Sequence, residues 1–160
     1  MLTAKELFIN LRDSLKALTW PTSGSRVFGD SVYIVPEFPA GNMNKLRVPS
    51  LLIMDAGVVS VVEAPRLAYQ NINIYTFVDV IQDPLGSGGI IGACHQANQS
   101  LGVGSKELMD LLVKFFETTS QLGSEKVCFI IKSVNAGKTA KGNFSALLVF
   151  LSVSVLVSNY

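Results

Sequence analysis

Residues 71–81 read NINIYTFVDVI, and the fold is decided by how that run alternates. Ile72, Ile74, Thr76, Val78 and Val80 fall on one face of a strand, and Asn71, Asn73, Tyr75, Phe77 and Asp79 on the other. Successive side chains of an extended chain point to opposite sides, so one face is aliphatic and the other polar and aromatic. The aliphatic face is predicted to carry helices. Downstream, residues 82–104 hold six glycines (Gly86, Gly88, Gly89, Gly92, Gly102 and Gly104) and read as a contact loop longer than an ordinary connection. Residues 105–122 then read as a helix, with Leu108, Leu111, Leu112, Phe115 and Phe116 on its apolar face and Gly123 at the position of a left-handed C-terminal cap. Beyond it, residues 126–134 read as a strand, 135–143 as a Gly- and Lys-bearing turn, and 144–157 as a long closing strand. In that last strand Leu147, Val149, Leu151, Val153, Val155 and Val157 share one face.

Upstream of the deciding strand, Thr3 and Glu6 have the spacing of a capping box, in which hydroxyl and carboxylate each satisfy an orphan backbone N–H. Leu7, Leu11, Leu15 and Leu18 follow at helical spacing, and Trp20-Pro21 is read as the end of the helix because the residue before proline leaves the α region. Residues 21–65 contain five of the six prolines, which excludes a long helix and predicts short strands and turns. Among them, 26–35 carries a Gly29-Asp30 turn signal and the β-rich run Val32 to Val35, 36–44 reads as a loop, 47–55 as a strand, and 58–62 as its extension or return. The order helix, strands, helix, strands gives a single α+β domain over residues 1–160, a mainly antiparallel sheet with two helices packed on one face.

Composition narrows the function classes. The chain has 160 residues, with 13 Lys+Arg and 12 Asp+Glu, fewer than the roughly 40 charged side chains of an average soluble domain this size. At 49% hydrophobic residues and a mean hydropathy of +0.40 it is too apolar for disorder, and a net charge of +1 provides no general field for nucleic acid. Apolar surface is therefore expected to be covered in use, by further copies or by a partner. A membrane is not the expected cover: the longest apolar run, 146–157, is broken by Ser152 and Ser154 and falls short of the ~20 residues a spanning helix needs. The first residues mix Lys5, Glu6, Arg12 and Asp13 among apolar ones, unlike a signal peptide, so the chain is expected to remain in the cytoplasm.

No motif assembles a chemistry. Gly137-Lys138-Thr139 resembles the end of a phosphate-binding loop, but Lys132 stands where the first glycine belongs, so the segment is read as a solvated hairpin turn. Residues 86–92 do not fit a dinucleotide fingerprint in register. Cys94 and His95 are adjacent, which in extended structure points a thiol and its base apart; they are read as non-catalytic. One His and two scattered Cys, Cys94 and Cys128, do not make a zinc site or a disulfide framework. Asp79 and Asp83 are read as capping a strand and opening a turn. No cofactor or metal is called. Charge is distributed more tellingly. Lys126, Lys132, Lys138 and Lys141 follow one another with no acid among them, while Glu107, Asp110, Glu117 and Glu125 crowd the preceding helix and its exit. Identical subunits in a ring could set such a split head-to-tail.

The capped first helix, the Pro-rich passage ending in LRVPSLLIMD (46–55), the alternating strand 71–81, a variable loop, the helix through Leu108 to Phe116 and the β-rich close at 144–157 together resemble the tail terminator proteins of long-tailed bacteriophages, including siphophages such as lambda and T5. The likeness rests on the order and size of elements over nearly the whole chain. It implies a virion structural protein without catalytic residues or cofactor, forming a homohexameric ring on the finished tail tube. Such a ring stops polymerisation of the tube protein, offers a surface to the head-completion or connector protein, and meets DNA only as it passes through the lumen. It assembles in the host cytoplasm and stays at the head-proximal end of the tail.

The residues expected to face partners are Leu85, Ile90 and Ile91, apolar within the Gly-rich loop, and the lysine turn at Lys138 and Lys141. Alternatives are another tail or head-completion subunit, such as a tube protein, or a small cytosolic enzyme using Cys94 and His95. Replacing Ile90 and Ile91 together by Asp is expected to block assembly while leaving the monomer folded, read by particle imaging beside a thermal melt; normal assembly by the double variant would discard that assignment.

Overall fold

The computed structural model describes residues 1–21, 24–37, 50–79, 105–141 and 144–158. Among the described residues two helices, α1 (Ala4–Lys16) and α2 (Ser105–Thr118), accompany seven strands: β1 (Val32–Val35), β2 (Leu51–Ser60), β3 (Leu67–Asp79), β4 (Gln121–Leu122), β5 (Glu125–Lys126), β6 (Phe129–Lys141) and β7 (Phe144–Ser158). Five of them form one sheet in the order β1-β2-β3-β7-β6, and β4 and β5 make a small separate hairpin. Only β1 and β2 are parallel; every other pair in the large sheet is antiparallel. The fold is α+β with mainly β content, as the alternation predicts.

The aliphatic face of β3 is the buried one. Ile72 pairs with Val153 and Ile74 with Leu151, and all four are fully buried. Ile131 and Val134 extend these two rungs onto β6. Against this floor α1 sets Leu7, Leu11 and Leu15, and α2 sets Leu108, Leu112 and Phe116. Each such aliphatic side chain withdrawn from water stabilises the fold by about 1.5–3 kcal/mol. Phe116 anchors α2 to the sheet through an edge-to-face contact with Phe129 of β6, ring centroids 5.1 Å apart.

The capping box forms as read: Thr3 Oγ1 accepts from the Glu6 N–H at 3.3 Å, and the Thr3 N–H donates to Glu6 Oε2 at 2.9 Å. The backbone N–H and then the hydroxyl of Thr3 hold the Glu6 carboxyl below its ordinary range. Several boundaries differ from the sequence reading. α1 ends at Lys16 rather than at Trp20-Pro21, because the chain turns there into an antiparallel bridge between Thr19 and Arg26. α2 stops at Thr118 rather than Leu122: Thr118, Thr119 and Ser120 are poor helix formers, and the Thr118 hydroxyl donates back to the Lys114 carbonyl at 2.7 Å. Gly123 is therefore no helix cap. Its φ of 62° serves the two-residue turn between β4 and β5. Residues 58–60 extend β2, and β3 begins at Leu67, four residues before the run that identified it.

The largest difference is at 135–141. The expected turn is strand: β6 runs unbroken to Lys141, and Gly137, Lys138 and Thr139 pair with Leu148, Leu147 and Ala146 of β7. The long apolar partner β7 supplies the ladder that holds these small and polar residues extended.

One buried group lacks a partner. Thr76 lies in the core on a rung between Leu51 and Val149, and among the described residues its Oγ1 is the buried side-chain oxygen without a hydrogen bond. Thr76→Val keeps the shape and removes that cost. It should stabilise the protein by about 1 kcal/mol, raising the melting midpoint by about 3 °C in calorimetry; an unchanged or lower midpoint would show that the hydroxyl is satisfied.

Candidate interaction surface

Opposite the helices, β2, β3, β7 and β6 present the alternate residues of each strand. One rung crosses the sheet as Tyr33, Leu52, Tyr75, Phe150 and Asn135, and the next as Met54, Asn73, Ser152 and Ser133. Tyr75 and Phe150 are tilted ring on ring with centroids 4.9 Å apart. Asn71 collects two donors on its Oδ1, the Ser154 hydroxyl at 3.0 Å and the Lys132 ammonium at 2.9 Å. The face is polar and aromatic, as the alternation of β3 requires. Lys132 occupies the register shift in β6 between Ile131 and Ser133, and its side chain reaches across β7 to β3. An edge lysine is thereby turned inward over the sheet.

The flank of this face at β2 is built differently. β1 has four residues and covers β2 only from Leu51 to Met54. From residue 55 to 60 no described strand lies outside β2, and all six residues are exposed. A break in register between Asp55 and Val58 is stapled from inside by Gln70, which is 1% exposed. Its amide donates to Asp55 Oδ1 at 2.7 Å, to the Gly57 carbonyl at 3.2 Å and to the Asn71 carbonyl at 2.9 Å. Asp55 Oδ1 also accepts the Gly57 N–H at 2.8 Å, and Gly57 adopts a φ of 93° that L side chains rarely take. This bulge switches the parity of the strand, so that Val58 pairs with Gln70 on the helix side and Val59 with Tyr69 on the open side, with 51% and 57% of their surface in water.

The residues named from sequence distribute unevenly over this geometry. Lys138 and Lys141 sit on the edge strand β6, paired with Leu147 and Phe144, in a strand and not in a turn. Leu85, Ile90, Ile91, Cys94, His95 and Asp83 lie outside the described residues. Cys128 is exposed between β5 and β6, and Asp79 ends β3 opposite Ala146. Helix α2, which holds Glu107, Asp110 and Glu117, packs over β6, the strand that holds Lys132, Lys138 and Lys141. Among the described residues there is no cluster of three potential metal ligands, and no helix is long and apolar enough to cross a membrane.

Sequence reading missed the exposed edge, because a run such as Val58, Val59, Val61 and Val62 reads as buried until its neighbours are known. The signal for the bulge was present: Asp55-Ala56-Gly57 is the spacing at which an aspartate caps a turn two residues ahead. No protein family model matches the chain, and no curated protein sequence matches it.

Two substitutions probe the bulge. Gly57→Ala meets no atom within 4 Å, so its expected cost of about 1–2 kcal/mol is that of the backbone conformation alone. Gln70→Leu leaves a carboxylate and two carbonyls short of a donor and should cost about 1–3 kcal/mol. Urea midpoints measure both, and a neutral Gln70→Leu would show that the staple does not hold the edge.

Proposed function

We propose that this chain is a virion structural assembly protein of the tail-terminator kind, a subunit that forms a hexameric ring, caps a tail tube, stops its polymerisation and presents a surface for head attachment. The observation that supports the reading most is the exposed, nearly uncharged edge of β2: from Ala56 to Val62 there is no charged residue, and Val58, Val59 and Val62 are 51%, 57% and 94% exposed. Solitary proteins guard such edges with charge, proline or a covering loop. An edge left apolar is suited to permanent cover, which a ring subunit receives from its neighbours. The sheet face behind it, with Tyr75, Phe150, Asn71 and Asn73, offers ring contacts and hydrogen-bonding groups together, the mixture found where protein surfaces meet.

On this reading the tube protein is one partner and a head-completion or connector protein the other. The ring works at the head-proximal end of the tail after assembly in the host cytoplasm, with DNA meeting it only in the lumen. The same surfaces would serve a tube subunit, and the two roles part in their products: a terminator makes closed rings that do not extend, whereas a tube protein stacks without limit. The test adds purified protein to polymerising tail tubes, with tube length followed by electron microscopy. Tubes that stop growing and carry a cap at one end are the expected result. Open-ended tubes formed by the protein alone would assign it to the tube, and no effect on tube length would reject an assembly role.

A further inference from the structure

We infer that the edge of β2 at residues 55–60, outside which no described strand lies, receives the first part of β6, residues 129–134, from a second copy of this chain, stopping short of β1 on residues 51–54, so that copies join head-to-tail by antiparallel pairing at the seam; the inference rests on the ring reading and specifies its seam. Strand direction supports it. β3 is antiparallel to β2, β7 to β3 and β6 to β7, so β6 runs opposite to β2 at the other end of the sheet. A rotation about an axis along the strands preserves direction, so the β6 of the next copy arrives antiparallel to β2, with the ladder geometry used throughout the sheet.

The side chains agree with this seam. Val59 faces the open side on the rung Val59, Tyr69, Leu156, and Ile130 faces the same side on the adjoining rung Asn71, Ser154, Ile130. Val59, Tyr69 and Ile130 are 57%, 39% and 48% exposed, and a stagger of one rung sets Val59 against the neighbour's Ile130. Lys132, which would ordinarily guard the β6 edge, has its ammonium drawn over the sheet to Asn71. Charge selects head-to-tail over self-pairing. β6 carries Lys132, Lys138 and Lys141 and no acid, so two β6 edges would repel, whereas the β2 edge carries Asp55 and no cation.

The test uses the full chain with Val59→Lys, with Ile130→Glu, with both changes together, and with the two single variants mixed. Sedimentation across concentration and electron microscopy read assembly, and thermal melts read folding. Both sites are half exposed, so each variant should melt like the parent. Each single variant should associate at least tenfold more weakly, and the double variant and the mixture should recover: every seam of the double variant brings a lysine to a glutamate, and in the mixture alternate seams do so while the others keep Val59 against Ile130. Rings that persist in both single variants would overturn the seam while leaving the ring intact. Loss in Val59→Lys that Ile130→Glu does not restore would point to β2 pairing with itself and overturn the head-to-tail order. Open filaments that dissolve and recover with the same pattern would sustain the seam and reject a terminator. A parent that stays monomeric with and without tubes would reject both.

Discussion

The large sheet and both described helices lean on the ladder between β3 and β7. Thirteen consecutive residue pairs, from Leu67 with Ser158 to Asp79 with Ala146, run antiparallel without a break in register. A slip of one residue would turn Ile72, Ile74, Leu151 and Val153 out of the core and put Asn71, Tyr75, Ser152 and Phe150 in, so burial and register enforce each other. The two strands that flank this pair each show an irregularity, at Asp55/Val58 in β2 and at Ile131/Ser133 in β6. The irregularities sit where a sheet can bend without breaking its centre. Both helices then pack on the floor the ladder provides. α1 contributes little ordering beyond its stripe of three buried leucines and its cap, and α2 is tied to β6 through Phe116 and Phe129.

The sheet's two sides and its two flanks were legible from sequence to different degrees, for physical reasons. Strict alternation in 71–81 reports a strand with one wet face because neighbouring side chains must diverge, and nothing in the surroundings can alter that parity. The capping box at Thr3 and Glu6 is equally local. Gly137-Lys138-Thr139 was misread because glycine and lysine are turn-prone in isolation, while the pairing offered by β7 lies only in tertiary space. Gly123 kept the positive φ its sequence context suggested, but in a hairpin, since a left-handed glycine serves a helix end and a tight turn equally well. The exposed edge was the least legible. Valine marks β-structure without saying whether a neighbouring strand is present, and here β1 is simply too short to reach residue 55.

Gln70 illustrates how a polar residue can sit on the aliphatic side of such a strand. Its neighbours on that face, Ala68 and Ile72, are fully buried, and an unpaired amide there would be costly. The bulge in β2 supplies the missing acceptors: Asp55 and the Gly57 carbonyl turn toward it, and Asp55 in turn holds the Gly57 N–H. Core and edge are thereby joined in one hydrogen-bonded unit, which keeps the exposed valines on a rigid strand rather than on a loop.

The central position of β7 also governs how this chain must come into being. β7 follows every other described strand in sequence yet lies between β3 and β6, and the bridge from Thr3 to Ser158 joins positions 155 residues apart. A ribosome makes β3 before β7, and so exposes the aliphatic side of β3 before the strand that completes the sheet has been made. The ladders of β7 with β3 and β6 can form only as residues 144–158 are made, and closing the long loop from β3 to β7 is slow. During that interval the nascent chain is most open to mispairing. The same strand that makes the finished sheet cohesive thus sets a delay between translation and a subunit fit to assemble.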